Sequence, residues 1–286
     1  MYDLISLIKR NTLTFLRDKA AVFFSFLSVI ILLGLYFLFI GRQYTSGLNM
    51  DDDLKTFLSA SVMMGGVLVI NTVSLALGIM GNIINDLQYK KLDAFLVTPV
   101  KRYKIILSYY ITAIMITSIL TLMMWFLTVL YVGISSGYWY SFLTIIQISG
   151  LLIFYTFISS TLMIFLTTIL KSVNAFGALS GVLGTLIGFM SGIYMPLNVL
   201  GDSMVYVASI VPFTHMTILL KQIILRDPYA LLEPEMVDAI REPYGTNEIG
   251  IFGQSVSMFW IMLVTVLISV LLLYLAYRNM SKKMAK

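Results

Sequence analysis

Chemistry needs ionisable or nucleophilic side chains brought together, and this 286-residue sequence offers few of them. It holds a single histidine, His215, and no cysteine. Thiolate and multi-histidine metal sites are therefore excluded, as are disulfides. No GxxxxGK[ST] run supplies a phosphate-cradling loop. A Ser-His-Asp arrangement would have to recruit His215, beside Pro212, and a structural role at the lipid–water interface accounts for that histidine better. The long apolar stretches carry no Asp, Glu, Lys or Arg, only polar groups such as Asn71, Asn82 and Gln147. Ion-coupled carriers place carboxylates, histidines or buried bases at membrane depth, so this pattern argues against ion coupling, although backbone carbonyls could still hold a sodium ion. If the chain moves a solute uphill, the energy arrives from outside its membrane segments.

The elements that would position any site are set by hydropathy. The chain is 59% hydrophobic and 12% charged, against roughly 25% charged in a soluble domain. Six stretches are long enough to cross a bilayer: about 20–41, 57–84, 105–133, 142–170, 174–195 and 255–277. About 20 helical residues span a 30 Å hydrocarbon core. The expected fold is an all-α polytopic membrane protein, one transmembrane domain over 1–286, with no room for a soluble catalytic domain. Residues 1–19 lack the short apolar core and cleavage site of a signal peptide, so the first span is expected to remain as an anchor.

Charge sets the expected orientation. With the N-terminus inside and the spans alternating, 14 of the 19 basic residues fall on the inner side. They cluster at Lys9 to Lys19, Lys90 to Lys104, Lys171, and Arg278 to Lys286. Ten of the 14 acidic residues fall outside. The positive-inside rule, which counts only Lys and Arg, then puts both termini in the cytoplasm. Residues 2–19 are read as an amphipathic helix along the membrane surface, with Leu4, Ile5, Ile8 and Phe15 on the apolar face. On its other face stand Asp3, Ser6, Lys9, Arg10 and Arg17, while Leu13 breaks the pattern. Residues 203–225 are apolar enough for a seventh span, but Pro212 interrupts them. A crossing there would also expel the C-terminal basic cluster, so 196–225 is read as a re-entrant hairpin on the outer side. An extracellular loop continues it to residue 254.

The largest inner loop is Asn85 to Lys104, NDLQYKKLDAFLVTPVKRYK. Leu87, Leu92, Phe95 and Leu96 stand between charged neighbours, which suggests a short amphipathic helix. Thr98-Pro99 ends it, because the residue before proline is pushed out of the α region. Such a corner is either an interfacial anchor or an element docked into a partner. Lys101, Arg102 and Lys104 suit headgroups, a partner, or plain positive-inside anchoring.

Here the chain resembles the type-2 ATP-binding-cassette permeases. Their loop reads roughly E-x-G-T-x-E-x-L-L-x-T-P-V. Asp93 matches the second acid, Phe95-Leu96 the apolar pair and Thr98-Pro99 the Thr-Pro; Lys90-Lys91 replace the Gly-Thr, and Ser108-Tyr109 a Gly-Lys. A second similarity is Ser191-Gly192-Ile193-Tyr194-Met195-Pro196 followed by Val211-Pro212-Phe213-Thr214-His215, similar to S-G-x-x-x-P … N-P-hydrophobic-T-Y, with Arg226 for a downstream base. The resemblance implies six spans per subunit, a second permease subunit, and two ATPase subunits that hold the ATP and magnesium. It makes Leu92, Asp93, Phe95, Leu96, Thr98 and Pro99 a coupling helix resting on the ATPase. Gly192, Pro196, Pro212 and His215 would belong to a hairpin capping the outer side.

Gly177, Gly181, Gly184, Gly188 and Gly192 fall within an arc of about 80° at 100° per residue, a ridge that lets another helix approach closely. That helix belongs either to the same chain or to a second subunit. The combined reading is an exporter permease in a bacterial cytoplasmic membrane, with the lipid bilayer and an ATPase as partners, no nucleic acid and no cofactor of its own. The Met and aromatic content suits an amphiphilic cargo such as a drug, an antimicrobial peptide or a lipid-linked molecule, and equally suits contact with lipid. A membrane-embedded enzyme would need clustered ionisable residues, which only Asp227–Glu248 loosely provides; a non-transporting sensor or assembly partner is the other alternative.

Overall fold

A computed structural model describes residues 2–20, 22–24, 27, 50–96, 98–170, 172–192, 197, 201–251 and 254–283, with Leu96, Asp202 and Lys283 by backbone alone. Nearly all of the first expected span, 20–41, lies outside these residues, as do Lys171 and Pro196. Helices carry the described chain: α1 Tyr2–Arg17, α2 Asp52–Gln88, α3 Asp93–Leu96, α4 Arg102–Ser136, α5 Phe142–Ile169, α6 Val173–Met190, α7 Asp202–Ile210, α8 Pro212–Ile224, α9 Arg226–Tyr229, α10 Pro234–Arg241 and α11 Met258–Lys283. The fold is an all-α polytopic membrane protein, with α2, α4, α5, α6 and α11 each long and apolar enough to cross a bilayer.

These five helices fall on the expected second to sixth spans but do not share their limits. The stretches 57–84 and 105–133 are only the middles of α2 and α4, because a helix continues beyond its apolar part until something caps it. Gly137 at φ 69° stops α4, and the Ser141 and Ser172 hydroxyls accept the Thr144 and Ala175 amides to open α5 and α6. The fifth expected span, 174–195, stops early at Met190, where Gly192 turns to φ 65°. The last begins at Met258 and runs to Lys283.

α2 lies at the centre, packed by α4, α5, α6 and α8. In a bilayer, lipid is as apolar as leucine, so hydroxyl pairs between helices help to define which faces meet. Thr72 pairs with Ser159 at 2.9 Å, Tyr110 with Thr161 at 2.7 Å and Ser118 with Thr156 at 2.7 Å. The C-terminal end of α2 and the start of α4 lie together with α1 at one end of the bundle. That end is basic. At the other, Ser141 donates its amide to Asp227 at 2.7 Å.

One detail of the sequence reading needs correction. Pro212 does not kink a helix from within: it starts α8, in the first turn where its missing N–H costs nothing. α7 and α8 meet at Val211 with a bend of 89°. The legs, of 9 and 13 residues, reach about 13 and 20 Å, short of a 30 Å crossing. His215 is buried within the protein; its Nε2 lies 2.7 Å from the Ser209 carbonyl and braces that bend.

The amphipathic α1 is also rotated from its expected register. It buries Leu7, Asn11 and Phe15, leaving Ile5 and Leu16 exposed. Arg10, expected to face headgroups or water, turns into the bundle instead. A carboxylate awaits it there.

Candidate functional site at the basic end

The loop after α2 is fixed by its own backbone first. Tyr89 caps α2, Lys90 adopts φ 53°, and Lys91 donates its amide to the Asp86 carbonyl at 2.9 Å. Lys90 donates to the Leu87 carbonyl at 3.3 Å. These two bonds make a Schellman ending, whose left-handed position normally takes glycine. Lys90 stands where the type-2 permease pattern has that glycine, so the shape of the turn persists without the residue that best suits it.

The chain then drops Leu92 into the core at 2% exposure and forms the four-residue α3. Thr98 closes α3, its amide and hydroxyl both donating to the Phe95 carbonyl at 3.1 and 2.6 Å. Pro99 follows, and Lys101 opens α4. The helix in this loop is thus shorter than the Asn85–Thr98 stretch suggested, since α2 takes the residues up to Gln88. Leu92 faces its own chain, whereas Asp93, Thr98 and Pro99 are exposed. Phe95 is half-buried; the side chain of Leu96 lies outside the described set.

Asp86 holds the loop's base together. Its carboxylate is 3% exposed and meets the Arg10 guanidinium at 2.7 Å, with Lys91 at 3.9 Å. The Tyr109 hydroxyl donates to the same carboxylate at 2.5 Å. Arg10 also donates to the Tyr109 and Asn11 side-chain oxygens, both at 2.9 Å, and Asn11 donates to Ser108 at 3.1 Å. The guanidinium stands 5.3 Å from the centre of the Phe95 ring, within cation–π range. Lys104 donates to Asp3 at 2.7 Å; that hydrogen bond first, and the lysine's charge second, hold the Asp3 carboxyl below its ordinary value. One arginine of α1 therefore joins the end of α2, the start of α4 and α3.

Sequence reasoning missed Arg10, Asp86 and Tyr109 as a group, because they come from three separate segments. A weak signal existed: Asp86 is an acid close to an otherwise uncharged span, where a lone carboxylate is expensive unless paired. The glycine ridge divides in two. A Cβ at Gly177, Gly181 or Gly184 would meet nothing within 4 Å among the described residues, so that stretch is open on this side of the described bundle. Gly188 is buried, and Gly192 ends the helix in a left-handed turn beside Leu197. Pro212 and His215 sit together at the α7–α8 bend as described. Among the described residues no group of His, Asp and Glu could hold a metal ion.

No curated protein matches the chain. A model of the ABC-2 type transporter family matches residues 2–225, from the start of α1 to just beyond α8. That match takes in both the α3 loop and the bent α7–α8 pair, and it covers well over half of the sequence. The chain belongs to the ABC-2 type transporter family and is a membrane permease subunit of an ABC transporter.

Proposed function

We propose that this permease is the membrane half of an ATP-driven exporter, moving an amphiphilic cargo such as a drug, an antimicrobial peptide or a lipid-linked molecule out of the cytoplasm or inner leaflet. The carrying observation is the α3 loop. It is pinned from beneath by Arg10, Asp86 and Tyr109 while Asp93, Thr98 and Pro99 point outward, the arrangement a docking element needs to pass on force without yielding. In this reading the loop rests on a nucleotide-binding subunit, which binds ATP and magnesium and carries out hydrolysis. The basic end faces the cytoplasm of a bacterial cytoplasmic membrane, both termini included, as the positive-inside rule favours. A second permease subunit, identical or homologous, meets this one along α6, where Gly177, Gly181 and Gly184 leave a shallow groove that none of the described residues fills.

Burial decides which substitutions test the docking. Leu92→Glu would put a charge into the core and report on folding. Asp93→Lys with Ala94→Arg changes only exposed positions of α3, where substitutions move stability little. Co-purification with the candidate ATPase should recover a stoichiometric complex, and the double variant should lose at least about tenfold of the bound ATPase and of permease-dependent ATP turnover, a penalty of roughly 1.4 kcal/mol in docking. Equal recovery and turnover would reject the loop as the docking element. Intact complexes without any ATPase would reject the exporter itself.

A further inference from the structure

Two charged side chains are buried among the described residues, Asp86 and Lys221. Asp86 belongs to the site above. Lys221, near the end of α8, is 5% exposed and forms no ion pair among the described residues. Its Nζ donates instead to two backbone carbonyls, Tyr244 at 3.1 Å and Gly192 at 3.3 Å.

Those carbonyls are similar in origin. Gly192, at φ 65°, lies just past the C-terminus of α6; Tyr244 precedes Gly245, at φ 66°, in the turn that ends α10. Helix C-termini leave carbonyls without intrahelical partners and carry the negative end of the helix dipole. One ammonium thus takes, in place of a counter-ion, two carbonyls of the turns that follow α6 and α10. Its neighbours on α8 work the same way: Thr214 donates to the Met190 carbonyl at 2.9 Å and Gln222 to the Thr246 carbonyl at 2.8 Å. The clasp is set deep because α2 offers Gly65 opposite. A Cβ there would lie 2.5 Å from Lys221 Cγ and 3.2 Å from its Cα.

A buried ammonium held only by carbonyls has two comfortable states. It is either fully paired with those carbonyls or fully hydrated, and a partly separated, dry arrangement is penalised. We propose that Lys221 is a latch at the end of the bundle opposite the α3 loop: docked, it holds α6 and α10 against α8 and keeps that face shut, and it is withdrawn when α6 moves during the ATP cycle. This inference rests on the proposed transport reading, because it requires a span that moves.

The absence of cysteine from the sequence makes the test direct. Ser191→Cys places a thiol beside Gly192 at a position that is 2% exposed. In the ATPase-bound complex in lipid nanodiscs, maleimide should label it slowly at rest and at least tenfold faster when the complex is trapped with ATP. Adding Lys221→Met should give the fast rate at rest, and Lys221→Arg, which keeps the charge, should not. A slow resting rate in the Lys221→Met protein overturns the latch. So does the absence of acceleration on trapping in the protein that keeps Lys221, which would mark a fixed brace. If Lys221→Met does not fold, a Met190→Cys/Thr214→Cys pair retains the lysine and ties α6 to α8. ATP turnover should then be lower oxidised than reduced in the same preparation, and equal turnover overturns the proposal. Failure of the exporter reading would show separately, as no ATPase recovered with any variant.

Discussion

Arg10 and Asp86 form an unequal pair, and the inequality predicts the outcome of removing either one. Asp86 is nearly sealed from water, whereas the Arg10 side chain is 32% exposed. Arg10→Met strands a carboxylate whose remaining partners are the Tyr109 hydroxyl and the distant Lys91. Breaking a buried ion pair costs about 3–5 kcal/mol; Tyr109 stays and Lys91 can move nearer, so about 2 kcal/mol is expected here. Asp86→Asn strands the arginine instead, but the guanidinium can turn to water and the amide oxygen still accepts, so about 1 kcal/mol is expected. The double variant leaves no lone charge. It should lose only about 1–1.5 kcal/mol rather than the sum, a coupling of about 1.5–2 kcal/mol, within the usual range for contacting residues. Unfolding by SDS in mixed micelles, followed by tryptophan fluorescence, measures all four corners of the cycle. A larger loss for Asp86→Asn than for Arg10→Met, or strict additivity, would refute the reasoning, since either would mean that Asp86 is not the sealed partner.

Lys90→Gly should stabilise the protein by about 0.5–1 kcal/mol, because a side chain at φ 53° is strained where glycine is not; the same unfolding assay checks it, and a loss would show that the lysine makes a compensating contact. Gly65→Ala and Gly133→Ala should differ sharply although both are crowded. At Gly65 the new methyl meets the backbone of α8 as well as Lys221, for a loss of about 2 kcal/mol. At Gly133 its nearest neighbours are atoms of the Trp139 ring, at 2.6 Å, and Trp139 is exposed enough to swing aside, so the loss should stay below about 1 kcal/mol. Similar losses for the two would contradict the close approach of α8 to α2.

The second to sixth spans were legible because the bilayer imposes one rule on every residue of a crossing segment. The Thr98-Pro99 corner was legible because proline acts on its immediate neighbour. Turn shape at Lys90 was hidden: lysine gives no local sign of a left-handed backbone, and only the permease pattern, with glycine in that place, hints at it. The face of α1 was misread because its buried stripe includes Asn11 and half-buries Arg10, polar residues that a hydropathy wheel assigns to water. Their partners, Ser108 and Asp86, lie 97 and 76 positions away. Lys221 was concealed for the same reason. Its partners are backbone carbonyls of two turns, and a carbonyl has no letter in the sequence.

The length of α2 has a mechanical consequence. Its 37 residues make a rod of about 55 Å, nearly twice the thickness of the hydrocarbon core. Pivoted near its midpoint at Ile70, it would carry Asp86 about 24 Å from the fulcrum and Gly65 only about 8 Å on the other side, at 1.5 Å per residue. A tilt of about 10° then sweeps the Asp86 end through roughly 4 Å while the Gly65 contact shifts by little more than 1 Å, by the same geometry. Displacement at one end is exchanged for force at the other, with a mechanical advantage of about three. A broad, soft stroke at the α3 loop would reach Lys221 as a short, strong one.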